Sequence, residues 1–335
     1  MSLLSISNID TAHLTLKPFI TQTPLVTNEA FNSLVNAKVY FKLENLQKTG
    51  SFKIRGATYK ISLLSQEQKE KGIVAYSSGN HAQAVACASF NYGIQATIVM
   101  PENASTAKVA ATSGYGASIL LSGSNYDESY SEAVSIMKSS SATMVHPFDD
   151  PLVIAGQGTI GLEILDSMKN VDVIIAPVGG GGLISGLALA LKEKHPNIKI
   201  IGVQSSSMSS MIESKKNKKL TTVPSRFTIA DGIDVKTPGE LTFNIVKKYV
   251  DNFITVTDVE IAESMFMLLE RSRIVSEPAG AASLAALLSG KLKIKGKNVV
   301  SIISGGNVDM PLMNKLITLS LIHISEPTRR YAISY

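Results

Sequence analysis

A chain of 335 residues exceeds what one hydrophobic core usually fills, so two lobes are expected. With 44% hydrophobic and 18% charged residues the composition is that of a globular protein, and no run of about 18 uncharged apolar residues offers a membrane span. The net charge of +5 is thinly spread, and its one cluster, Lys215, Lys216, Lys218 and Lys219, lacks the interleaved aromatics of a nucleic-acid groove and reads as a solvated loop or helix end.

The opening MSLLSISNIDTAHLT has no basic segment followed by an apolar run, and the single cysteine, Cys87, rules out an internal disulfide, so a cytosolic location is expected. Short runs rich in Val and Ile then predict strands at 39–43, 73–77, 96–100, 118–121, 173–176, 198–203 and 298–303. Helix-period stretches separate them. That alternation predicts an α/β fold with parallel-sheet lobes covered by helices on both faces, and ligands of such sheets bind at the carboxyl ends of the strands. The 72–147 stretch carries its own alternation, which predicts a small domain inserted into a large cofactor-binding domain of residues 1–71 and 148–321.

Four segments carry chemistry. Thr49 to Ala57, TGSFKIRGA, places Lys53 in the first turn of a predicted helix, where the helix dipole disfavours the ammonium. Carbonyl-condensing lysines need that lowered pKa, although a lysine taken alone is most often a surface residue. Ser77-Ser78-Gly79-Asn80-His81 follows a strand and opens a helix, so its N–H groups can hold a carboxylate; by itself it is a helix cap. Gly179-Gly180-Gly181-Gly182-Leu183 removes every side chain from a strand-to-helix turn, which lets backbone N–H groups approach a phosphate. It has neither the GxGxxG spacing of dinucleotide folds nor a P-loop ending. Ser304-Gly305-Gly306-Asn307 sets a hydroxyl at the end of the last strand and, read alone, is a loop.

In this order the four segments resemble the two-domain fold-type II pyridoxal phosphate enzymes, in particular the threonine dehydratase and serine racemase branch, over residues 5–318. The resemblance implies that Lys53 is the amine that condenses with the pyridoxal phosphate aldehyde and that Phe52 packs near the cofactor ring. It implies that Asn80 meets the phenolic oxygen, that Gly179, Gly180, Gly181, Gly182 and Leu183 bind the phosphate, and that Ser304 meets the pyridine nitrogen. Ser77, Ser78, Gly79, Asn80 and His81 would then hold an amino-acid substrate. A neutral hydroxyl at the ring nitrogen suits elimination. Lys53 would take the α proton, a protonated β-hydroxyl would leave as water, and the enamine would hydrolyse to a keto acid and ammonia. The family also implies a homodimer or homotetramer.

Ser78 matches the position of the hydroxyl that serves the opposite face in serine racemases, which keeps serine racemisation open as the alternative to threonine dehydration. Against it, Gln204, Met208 and Ser210 stand where that branch binds a divalent cation with two carboxylates, so no metal is expected. His146 to Pro151 (HPFDDP), Ala155 to Thr159 (AGQGT) and Ile201 to Ser205 resemble catabolic threonine dehydratases. Ala230-Asp231-Gly232 and Glu277-Pro278-Ala279-Gly280 fit both branches and are expected at the site; Glu277 also reads as a carboxylate favouring a helix dipole. His13, His81, His146, His195 and His323 have no metal-ligand spacing, and His195 before Pro196 marks a helix end. Cys87 is expected as a small buried apolar residue. The segment 322–335 departs from the family pattern. A non-catalytic binding protein on the same sheet would leave Lys53 without a task.

Overall fold

The computed structural model describes residues 4–315, so the 322–335 segment and His323 lie outside the described residues. Two sheets organise the chain. The larger combines β1 (Leu25–Thr27), β2 (Lys38–Leu43), β7 (Val173–Pro177), β8 (Lys199–Ser205), β9 (Asn252–Val256) and β10 (Asn298–Ile303) in the order β1-β2-β10-β7-β8-β9. Only β1 runs antiparallel, pairing Val26 with Phe41. The smaller is all parallel, β5-β4-β3-β6, built from β3 (Ile73–Tyr76), β4 (Ala96–Met100), β5 (Ser118–Leu121) and β6 (Thr143–Met144). We propose residues 72–147, which contain this whole sheet, as the smaller domain.

The seven strands expected from sequence all form, with bounds shifted by at most two residues. Central strands are covered on both faces and so read as unbroken apolar runs. In β10, Val299, Val300, Ile302 and Ile303 are fully buried, and each contributes about 1.5–3 kcal/mol by leaving water. The strands β1, β6 and β9 carry no such signal: two are of three residues or fewer, and β9 is a sheet edge with alternating exposure.

Helix Pro151–Ser167 forms against propensity. Gly156, Gly158 and Gly161 each cost a helix roughly 0.5–1 kcal/mol relative to Ala. Its start is strong, because Pro151 occupies the first helical position and the Asp150 carboxylate accepts from Leu152 N at 2.8 Å and Val153 N at 3.2 Å. The glycines permit contact that no side chain could: a Cβ on Gly156 would lie 2.6 Å from the Cα of Gly56 in helix Lys53–Ser62. Helix Pro151–Ser167 is buried from Val153 to Ile164, so it acts as the internal floor under Lys53–Ser62.

Between these helices lies a buried charge cluster. Arg55 donates to both oxygens of Glu44 at 2.8 Å, to Glu163 at 2.6 and 2.9 Å, and to Thr159 Oγ1 at 3.1 Å. Lys42 completes it, donating to Glu163 and to the Thr23 carbonyl. His195 ends helix Gly182–Lys194 as expected, whereas Cys87 is only partly buried against the smaller sheet's core. Among the described residues no helix is long and apolar enough to cross a membrane.

Candidate active site

In the larger sheet β2, β10 and β7 are neighbours and parallel, so their carboxyl ends lie side by side. Three of the four segments leave from those ends. The order also doubles back there, which is where open α/β sheets bind ligands.

Two short helical turns, Glu44–Leu46 and Lys48–Gly50, follow β2. The Phe52 N–H then donates to the Ser304 carbonyl at 3.1 Å, and Ser51 bridges Gly305, which ties the lysine segment to the end of β10. Lys53 is the first residue of its helix, as expected, and its Nζ donates to the Pro147 carbonyl at 2.8 Å and sits 5.3 Å from the Phe52 ring centroid. Burial lowers the Lys53 pKa to about 8, with the Glu277 carboxylate acting in the opposite direction. The lowered value expected from a helix dipole is thus explained by desolvation.

At the end of β7 the four glycines turn into helix Gly182–Lys194. Gly181, at φ +100°, requires a residue without a Cβ, and no side chain caps the helix that follows. A Cβ on Gly180 would sit 2.4 Å from the Phe148 ring, so that turn is covered closely. The leading N–H groups of a helix have no partner within it, and here no side-chain cap competes for them. Leu183 buries its side chain in the core, so its backbone N–H is what it can offer a ligand.

The fourth segment arrives from β3 in the smaller sheet. Ser77 Oγ accepts from Gly79 N at 3.1 Å, and helix Asn80–Asn91 begins without a side-chain cap. Ser77, Ser78, Gly79 and Asn80 are all partly exposed. Asn80 Nδ2 donates to both Glu277 oxygens, at 2.8 and 2.9 Å, while its Oδ1 accepts from Asn307 at 2.8 Å. The loop from one sheet is thereby fastened to the strand ends of the other. His81 is buried with Nε2 on the Val145 carbonyl at 2.8 Å, and burial takes its pKa down to about 3. Its imidazole is a neutral donor to Val145, which leaves its backbone N–H for a ligand.

Glu277 precedes helix Pro278–Leu288 but does not cap it. Its carboxylate faces Asn80 instead, and burial raises its pKa to about 7 while Asn80 favours the charged form. Sequence reasoning brought Ser304, Lys53, the glycine turn, Asn80 and Glu277 to one place. It gave no role to Pro147 or Phe148, which stood only in a segment of family resemblance, or to Asn307, whose segment was read for the Ser304 hydroxyl.

These residues fit a phosphate-bearing aldehyde. An amine with a lowered pKa, an uncapped glycine turn and the buried Ser304 stand at adjoining strand ends, together with a buried Ser51 hydroxyl that has no protein partner. A model of the family described as pyridoxal-phosphate dependent enzyme matches residues 16–305, and the chain belongs to that family. A catabolic L-threonine dehydratase of Staphylococcus aureus strain USA300 is 51% identical over 319 residues, covering 94% of this chain and 92% of the relative. An L-threonine ammonia-lyase of Thermotoga maritima is 48% identical, covering 96% and 80%. Among solved structures, serine racemase from Dictyostelium discoideum has a TM-score of 0.86 at 41% identity, covering 92% of this chain and 99% of its own.

At the positions weighed from sequence for a divalent cation, both polar side chains are already engaged. Gln204 is fully buried, donates to the Val178 carbonyl at 3.2 Å and accepts from Ile212 N at 3.0 Å. Ser210 Oγ donates to the Val235 carbonyl at 2.6 Å. A hard dication needs anionic oxygens that these residues do not supply. Activity is therefore expected to survive dialysis against EDTA, and a large loss restored by Mg2+ or Ca2+ would contradict this.

Proposed function

We propose that this chain is a pyridoxal phosphate enzyme that eliminates water from L-threonine, and from L-serine, to give 2-oxobutanoate or pyruvate and ammonia. The observation that carries the reading is the convergence of Lys53, Ser304 and the glycine turn on three adjacent parallel strand ends. When bound, the cofactor supplies an aldehyde for the amine and an electron sink beside the amino acid's α carbon.

The protein's own residues do the rest. Lys53 would be the amine that takes the aldehyde and would also serve as the base for the α proton, a role for which a pKa near 8 suits it close to neutral pH. The N–H groups of Gly179 to Leu183 hold the phosphate at a positive helix end. Phe52 would flank the cofactor ring, and the Ser304 hydroxyl would serve its nitrogen without contributing charge. Asn80 would donate to the phenolic oxygen by turning one Nδ2 hydrogen away from Glu277, while Asn307 holds its Oδ1. Backbone N–H groups from Ser77 to His81 take the substrate carboxylate. A cytosolic homodimer or homotetramer acting on a small amino acid is part of this reading; the single cysteine supports the location.

The direct test is incubation of cofactor-loaded protein with L-threonine, with 2-oxobutanoate and ammonia expected in equal amounts; absence of both would refute the proposal. Serine racemisation is the second reading, favoured by Ser78 and by the likeness to a serine racemase. Elimination from an L-amino acid needs only the lysine face. Ser78→Ala is expected to change kcat/KM for L-threonine dehydration by about threefold or less while removing any interconversion of serine enantiomers. Continued interconversion in the variant, read by chiral chromatography, would make Ser78 a loop residue only.

A further inference from the structure

Residues 145–149 join β6 to helix Pro151–Ser167, and each touches a different part of the site. The Val145 carbonyl takes the His81 N–H, and the Pro147 carbonyl takes the Lys53 ammonium at 2.8 Å. The Phe148 ring and backbone lie against Gly180 and Gly182, at 2.4 and 3.0 Å from where their Cβ atoms would be. The Asp149 carboxylate accepts from Glu240 N and Thr242 N at 3.0 Å each, and Thr242 Oγ1 donates to the Gly180 carbonyl at 2.6 Å.

His146 sits inside this turn. Its Nδ1 accepts from the N–H of Asp149 at 2.8 Å and of Phe148 at 3.3 Å, and its Nε2 lies 3.0 Å from the Tyr76 hydroxyl. Two backbone donors on Nδ1 leave one arrangement of the ring: a lone pair on Nδ1 and the hydrogen on Nε2, donated to Tyr76. Burial, opposed by Asp149, holds the His146 pKa at about 4, so the ring keeps that lone pair at neutral pH. Tyr76 is fixed in turn, 5.0 Å from the Tyr126 ring and 4.8 Å from that of Tyr130, and it immediately precedes Ser77. The Phe148 ring meets His146 edge-on at 4.7 Å.

We propose that His146 is a positioning residue: its Nδ1 lone pair shapes the turn that holds the free amine of Lys53 and closes the glycine cradle with Phe148. The inference rests on the reading of Gly179 to Gly182 as a phosphate cradle. A side-chain acceptor two or three residues ahead of two N–H groups is what Asn provides in turns, so asparagine can replace the lone pair while giving up the Tyr76 contact. Alanine replaces neither.

Deoxypyridoxine phosphate, which lacks the aldehyde, reads the cradle without involving the Lys53 amine. Calorimetric titration of cofactor-free protein is expected to give His146→Asn within about threefold of the wild-type Kd and His146→Ala weaker by roughly tenfold or more, the consequence of stranding two N–H groups. Alanine binding like wild type, or asparagine as weak as alanine, would overturn the proposal. Failure of the wild type to bind would instead remove the cradle beneath it. Nitrogen NMR of the histidine rings supplies a reading that needs no alanine variant: the signals lost in His146→Asn should be those of a ring protonated at Nε2 alone, and an Nδ1-protonated ring would contradict the assignment.

Discussion

Replacing Lys53 by alanine is expected to abolish the visible absorbance of the cofactor-loaded protein and to lower kcat by about a thousandfold or more. Proton transfer by a placed base is worth roughly 10²–10⁴ on its own, and Lys53 also supplies the amine that joins the cofactor to the chain. Lys42, a second enclosed lysine, offers no substitute because its ammonium is committed to Glu163 and the Thr23 carbonyl. An alanine variant that turned over L-threonine at the wild-type rate would end the present reading of the site.

Arg55→Leu is expected to cause the largest loss of stability. The guanidinium is fully buried and is shared between Glu44 and Glu163, each bound through both oxygens. Leucine would leave those carboxylates facing each other away from water, with Lys42 as their remaining cation. Breaking a buried ion cluster from one side costs about 3–5 kcal/mol, a large share of the roughly 5–15 kcal/mol that holds a typical domain folded. The urea midpoint should fall accordingly at unchanged slope, and Arg55→Lys, which keeps charge without the fork, should recover only part. A shift worth less than about 1 kcal/mol would show that the cluster is not what anchors the helix bearing Lys53.

What could be read in the sequence depended on the range of the cause. Lys53, the four glycines, Asn80 and Ser304 are each set by a strand end and the helix or loop after it, so local pattern and family resemblance located them. The strands covered on both faces were legible for the same reason, while β9, an edge with alternating exposure, was not. Helix Pro151–Ser167 runs against propensity, and its glycines are explained only by neighbours on other helices, Gly56 against Gly156, Ile9 and Gly186 against Gly158, and Ala190 against Gly161. The bond from Lys53 to Pro147 spans 94 residues and that from Asn80 to Glu277 spans 197, distances over which no periodicity carries information. The cause of the lowered Lys53 pKa was likewise invisible, since burial is a property of the assembled site.

The attachment point of the cofactor tests the site most directly. Protein loaded with pyridoxal phosphate, reduced with borohydride and digested, should yield one modified peptide, carrying the reduced pyridoxyl group on Lys53 within Ser51-Phe52-Lys53-Ile54-Arg55. Attachment at any other lysine, or no stable modification with the visible band unchanged by borohydride, would contradict it.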